Sequence, residues 1–187
     1  MQRHLPLFLL IGLLIAFRIL GSVMPESQPN FQPLAALFFC GALMAPGWRG
    51  FAIPFAIWAV TYPLASGPVG DFAIISTTLL ALVVTFFMGK FMEKRSLPLI
   101  LTGSIAAALV FHLITNGAAW IGDPMSEKSL SGFWQSFWTG PVNSKTPSWV
   151  FLQNSIAANV LFTAIFVGAQ LRFPKSAVTS PKSILAR

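Results

Sequence analysis

Between Leu97 and Ile121 the chain runs without a single Asp, Glu, Lys or Arg. A helix needs about 20 apolar residues to cross a hydrocarbon core of ~30 Å, and in lipid its backbone groups must be satisfied internally. Ser148–Leu171 is equally free of charge, and Phe72–Met92 holds only Lys90. Three shorter or more interrupted apolar runs complete the set, at Leu5–Val23, Pro33–Pro46 and Trp48–Leu64. The second is short and flanked by prolines, with Pro46-Gly47 as the turn that separates it from the third. Composition supports a lipid-facing surface. Only 9% of the residues are charged against 55% apolar, whereas a soluble domain carries about 25% charge. The chain is therefore expected to be an all-α integral membrane bundle of six transmembrane helices, residues 1–172, followed by a basic cytoplasmic tail, residues 173–187.

Charge placement orients the bundle. With the N-terminus inside, the cytoplasmic segments hold Arg3, Arg49, Lys90, Lys94, Arg95, Arg172, Lys175, Lys182 and Arg187, and the outer ones only Lys128 and Lys145. Glu26, Asp71, Asp123 and Glu127 fall outside. Such alternation is the positive-inside pattern, so both termini are expected inside. Because the basic residues flank apolar runs, the net charge of +7 leaves no soluble basic face to track nucleic acid. A cleaved signal peptide fits poorly: Arg18 interrupts the first apolar run and no A-x-A site follows. The lone Cys40 excludes an intramolecular disulfide and reads as a small buried hydrophobe.

Polar side chains inside a span are costly and usually face a cavity or a partner. Counted by depth, they gather in the outer half. Arg18 lies in the first span, Asn30 and Gln32 stand at the mouth of the second, and Ser76, Thr77 and Thr78 open the fourth. His112, Asn116 and Trp120 recur every four residues, on one face of the fifth span. Asn154 and Asn159 lie in the outer half to the middle of the sixth. The inner halves are almost purely apolar, which describes an outward-facing pocket and not a conduction path. Plainer roles stay open: Arg18 snorkelling to the interface, the asparagines as interhelical glue, His112 as a satisfied buried histidine, the tryptophans as interfacial belts. In the long connection Gly122–Pro147, the stretch Gly132–Gly140 carries four large aromatics, fit to lie in the outer interface or to cap a cavity.

Three blocks carry a resemblance. Arg18…Pro25…Asn30-Phe31-Gln32-Pro33-Leu34-Ala35-Ala36-Leu37 resembles the R…P-N-F-x-P-x-x-A-L opening of an uncharacterised bacterial membrane transport-protein family. Phe111–Trp120 resembles its F-x-x-T-N-x-x-x-W element, with one more residue between Phe111 and Thr115, and Gly132…Pro141 with Asn154–Gly168 its last loop and helix. Asn159 stands where that pattern has an aspartate, and Ser66–Gly70 replaces a more acidic stretch. The family in turn looks like the substrate-binding S components of energy-coupling factor (ECF) vitamin transporters. That likeness implies a ligand pocket near the outer face and, through Gly12 and Ala16 at small-x-x-x-small spacing, docking to an energising membrane subunit with ATPases in trans.

No P-loop, H-E-x-x-H or G-x-S-x-G sequence occurs. The expectation is a binding subunit for vitamin or metabolite uptake, not an enzyme, needing no cofactor or metal. Arg18, Asn30, Phe31, His112, Asn116, Trp120, Trp134, Trp138, Asn154 and Asn159 are the candidate ligand contacts. Two alternatives stand beside it. A membrane scaffold without a ligand would pair its amides with one another, and an intramembrane enzyme would bring His112 to Cys40.

Overall fold

The computed structural model describes residues 30–45, 47–66, 72–141 and 144–172, with residues 12, 15–17 and 19–20 of an earlier helical stretch. The expectations for Arg18, for most of the first span and for the tail 173–187 lie outside the described residues. Six helices follow one another: α1 (Leu34–Met44), α2 (Arg49–Ser66), α3 (Phe72–Phe91), α4 (Leu97–Gly122), α5 (Leu130–Trp138) and α6 (Ser148–Arg172). No strand occurs among the described residues.

Three of these helices are long and apolar enough to cross a membrane: Phe72–Phe91, Leu97–Gly122 and Ser148–Ala169. Their apolar windows are only 28%, 33% and 39% buried within the chain, so most of that surface needs lipid against it. Phe72, Ile74, Leu80, Phe87 and Phe91 all point outward from α3. The chain is a helical membrane protein.

Helix α1 falls within the short, proline-flanked second run but is enclosed by protein. It has 11 residues, about 16 Å at 1.5 Å per residue, roughly half the hydrocarbon thickness. Seven of them are buried, because α2, α3, α4 and α6 pack around it. A helix apolar on every side belongs in such a core. On one flank Ala36, Phe39 and Cys40 meet Ala107, Ala158 and Phe162. On the other, Phe38 and Ala42 meet Trp58, Leu82 and Phe86. Glycines let the backbones close in. A Cβ on Gly41 would overlap the Gly50 carbonyl oxygen and lie 2.8 Å from Pro54 Cγ, and one on Gly89 would overlap the Phe39 carbonyl oxygen.

These contacts set the ends of the bundle level. Gly50 packs on Gly41 and Ala45, Gly89 on Phe39 and Ala42, and Gly103 on Met92. The α1–α2 and α3–α4 turns therefore share one end. The start of α1, the α4–α5 connection, α5 and the start of α6 occupy the other.

Helix α5 occupies the aromatic stretch Gly132–Gly140, the piece expected to cap a cavity or lie in the interface. Ser129 caps it, its Oγ accepting from Gly132 N at 3.1 Å. Gly132 is required here: a Cβ would overlap the Glu127 carbonyl. Gly132 and Ser136 face inward, whereas Leu130, Trp134 and Trp138 are exposed, the amphipathic division of an interfacial helix.

Candidate functional site

Helix α6 carries three of its polar residues on one stripe. Ser155, Asn159 and Thr163 recur every four residues, which places them one above another on a single face. Each finds a different partner. Ser155 Oγ accepts from Asn30 Nδ2 at 2.6 Å. Asn159 Nδ2 donates to the Ser104 carbonyl of α4 at 3.2 Å. Thr163 Oγ1 lies 3.7 Å from Cys40 Sγ on α1.

Asn30 holds the chain just ahead of α1. Its φ of 63° is left-handed, a conformation asparagine tolerates better than most residues. Its Oδ1 accepts from Gln32 Nε2 at 2.7 Å. Helix α1 then starts with Pro33 as its N-cap and no side-chain cap, so first-turn N–H groups remain open toward this end. Between this turn, α4 and α6 lies a cleft lined by Asn30, Gln32, Leu34, Ala35, Ala108, Phe111, Ser155 and Asn159. Asn159 is 1% exposed and sits about 16 Å along α6 from its start. The cleft admits about 10 Å³ in this conformation, room for about one water molecule.

A second polar group fastens α5. His112 Nε2 faces the Phe137 carbonyl at 3.1 Å. A carbonyl oxygen only accepts, so Nε2 carries the hydrogen and Nδ1 is left as an acceptor. Asn116 Nδ2 lies 3.0 Å from Nδ1 and also donates to the His112 carbonyl at 3.0 Å. Asn116 Oδ1 accepts from Ser148 Oγ at 3.0 Å. The result is a relay from Ser148 on α6 through Asn116 and His112 on α4 to the backbone of α5. The His112 and Phe137 rings meet edge to face, with centroids 4.9 Å apart.

One turn further out, Trp120 Nε1 donates to the Glu127 carbonyl at 2.8 Å. Lys128 Nζ donates to the Asp123 carbonyl at 2.6 Å and to that of Trp120, 5.5 Å above the Trp120 ring. Asp123 accepts from Ser126 Oγ at 2.6 Å and Met125 N at 3.0 Å. These bonds, Ser126 first, hold its carboxyl below the usual aspartate range.

The expected residues thus divide. Asn30 and Asn159 line the cleft, while His112 and Asn116 stand beside it in the relay that holds α5. Phe31 packs on Phe162 in the core, with ring centroids 6.4 Å apart. Trp120 braces the α4–α5 connection, and Asn154 is half-buried and engaged. Trp134 and Trp138 are 54% and 56% exposed on the outer face of α5 and do not line the cleft. Arg18 lies outside the described residues. Gly12 and Ala16 are exposed, and a Cβ on Gly12 would meet nothing within 4 Å.

Ser104, Ser148 and Ser155 are site residues that reasoning from the sequence misses. The four-residue repeat Ser155–Asn159–Thr163 is the available signal for Ser155. Nothing in the sequence pairs Ser104 or Ser148 with its partner. Cys40 and His112 do not meet: the thiol has Thr163, and the imidazole has Phe137 and Asn116. Among the described residues no three His, Cys, Asp or Glu side chains converge as a metal centre needs. Two buried polar atoms, Trp58 Nε1 and Ser136 Oγ, have no partner there either.

Compared with known proteins, residues 1–179 match the family described as a family of unknown function, DUF6580. No curated protein and no solved structure matches the chain.

Proposed function

The chain belongs to DUF6580, and we propose that it is the substrate-binding membrane subunit of a small-molecule uptake transporter. In this reading the bundle crosses a bacterial inner membrane six times with both termini inside. The cleft at the start of α1 opens outward to capture a vitamin or metabolite. One observation carries the reading: Asn159, an amide buried about midway along an apolar helix, lines a cleft. An intramembrane amide is expensive, and a cleft wall is where a ligand repays that cost.

The few polar groups around it orient a ligand among Leu34, Ala35, Ala108 and Phe111, the usual make-up of a small-molecule pocket. With room for about one water, the cleft is closed, so capture requires it to widen. Helix α5, tied to α4 by the His112–Phe137 bond but lining no part of the cleft, serves in this reading as the lid that shifts when the cleft widens. Gly12 and Ala16, exposed on one helical face, offer a close-packing surface to an energising subunit served by ATPases in trans. Facilitated passage by the lone chain is the simpler variant.

Native mass spectrometry of the detergent-purified chain from a bacterial host tests the reading. Wild type should retain a small molecule that Asn159→Leu loses by at least about tenfold, since a buried polar group left unpaired costs ~1–3 kcal/mol. A wild type that carries nothing but lipid and detergent overturns it. A second reading has its own support: each cleft amide already has a protein partner. That is the pairing of a ligand-free scaffold, and a bare wild type would favour it.

Topology is checked separately. With Cys40→Ala as background, cysteine at position 129 should react with a membrane-impermeant reagent applied outside. Cysteines at 94 and 180 should react only after the membrane is opened. External labelling at 94 sinks the six-span arrangement.

A further inference from the structure

The end of the bundle away from the cleft has a charge distribution that the transport reading does not use. The α1–α2 and α3–α4 turns place Arg49, Lys90, Glu93, Lys94 and Arg95 there. Lys90 is neutralised by Glu93 at 2.5 Å. Arg49, Lys94 and Arg95 are exposed and have no ion-pair partner among the described residues. Lys94 and Arg95 are adjacent in one turn and Arg49 stands at the same end of the bundle; with no acid left to balance them, these three cations favour an external anion.

The backbone adds to this. Helix α4 begins here, and its N-cap Ser96 makes no side-chain cap bond. Pro98 has no N–H, so the open first-turn donors of α4 are the Leu97 and Leu99 N–H groups, at the positive end of the helix dipole. Lys94, at φ 62°, takes the left-handed conformation that lets the chain turn back within a few residues, from Phe91 to Leu97.

An apolar collar lies beside the cations. Trp48, next to Arg49, is 75% exposed, and Phe91 is 74% exposed. Leu97 and Leu99 are also exposed. Tryptophan at this level is an interfacial residue. A soluble anion makes no use of apolar surface beside its charge, whereas a phospholipid places acyl chains against the collar and its phosphate among the cations.

We propose that this end of the bundle, built from Arg49, Lys94, Arg95 and the start of α4 with Trp48 and Phe91 beside them, binds the headgroup of an anionic phospholipid. The site lies at the opposite end from the cleft and stands whether or not the cleft binds a substrate.

The test uses the full chain in neutral detergent, titrated with phosphatidylglycerol or phosphatidylcholine, with bound lipid counted by native mass spectrometry and stability followed by thermal unfolding. Wild type should retain phosphatidylglycerol preferentially and unfold at a higher temperature with it. Replacing all three cations (Arg49→Gln, Lys94→Gln, Arg95→Gln) should weaken retention on the order of a hundredfold, from the surface attraction of each basic residue. The control variant Lys128→Gln with Lys145→Gln, at the cleft end, should retain the lipid as wild type does. Equal retention of the two lipids by wild type, or unchanged retention by the triple variant, overturns the proposal. So does matching stabilisation by inorganic phosphate alone, which would make this a free-anion site. Should the triple variant not fold, Lys94→Gln with the wild-type comparison of the two lipids still decides.

Discussion

Gly89→Val is expected to prevent stable folding of the chain. Gly89 lets α3 lie directly on the backbone of α1: a Cβ there would overlap the Phe39 carbonyl oxygen and stand 2.9 Å from Ala42 Cβ. Overpacking usually costs ~1–3 kcal/mol because side chains shift to make room. A carbonyl inside a helix has no rotamer to change, and α1 is enclosed by four other helices, so it cannot move aside. The loss should therefore exceed about 3 kcal/mol, against the ~5–15 kcal/mol that keeps a typical domain folded. Purified yield and thermal unfolding in detergent would report it. Gly117→Ala is the control, because its Cβ would meet only Phe133 Cε2 at 3.8 Å, an ordinary contact, and alanine favours the helix by ~0.5–1 kcal/mol. Wild-type stability in Gly89→Val would show that the α1–α3 contact is not as close as described.

Asn116→Leu is expected to produce the largest effect of any polar substitution. It removes the acceptor of Ser148 Oγ and the donor to His112 Nδ1, and both residues are buried, at 6% and 4% exposure. Interhelical hydrogen bonds in membranes average only ~0.6 kcal/mol, which would make this change mild. Two orphaned buried polar atoms are a different matter, at ~1–3 kcal/mol each, so a loss of about 2–4 kcal/mol is expected. Thermal unfolding separates the two cases. Ser148→Ala should then cost less in the Asn116→Leu background than in wild type, since coupled partners are not additive. Hydrogen exchange in α5 should also quicken as its tie to α4 loosens. A loss near 0.6 kcal/mol, with unchanged exchange, would reduce the relay to ordinary interhelical glue.

That the chain is helical and belongs in a membrane was legible from its residues alone. Uncharged runs such as Leu97–Ile121 leave no other way to satisfy the backbone, and the helices begin and end within a few residues of those runs. The contact between His112 and Asn116 was legible too, because residues four apart on a helix are neighbours whatever surrounds them. The aromatic stretch after residue 130 could be read as an amphipathic piece for a similar reason: the division of its faces is a local property.

The remainder depended on packing. Pro33–Pro46 and Trp48–Leu64 read alike as apolar, yet the first became an 11-residue helix buried in the core. Hydropathy cannot tell lipid from other helices, because both are equally dry. Side chains of α6 and α4 meet partners far away in the chain, Ser155 with Asn30 and Ser148 with Asn116. Trp134 and Trp138 turned outward although composition alone suited them to a cavity wall, since the rotation of α5 is fixed by Gly132 against Glu127 and by the His112–Phe137 bond. Spacing along one helix fixes which residues share a face. What that face meets depends on how closely glycine lets two backbones approach, and that distance exists only once both helices are in place.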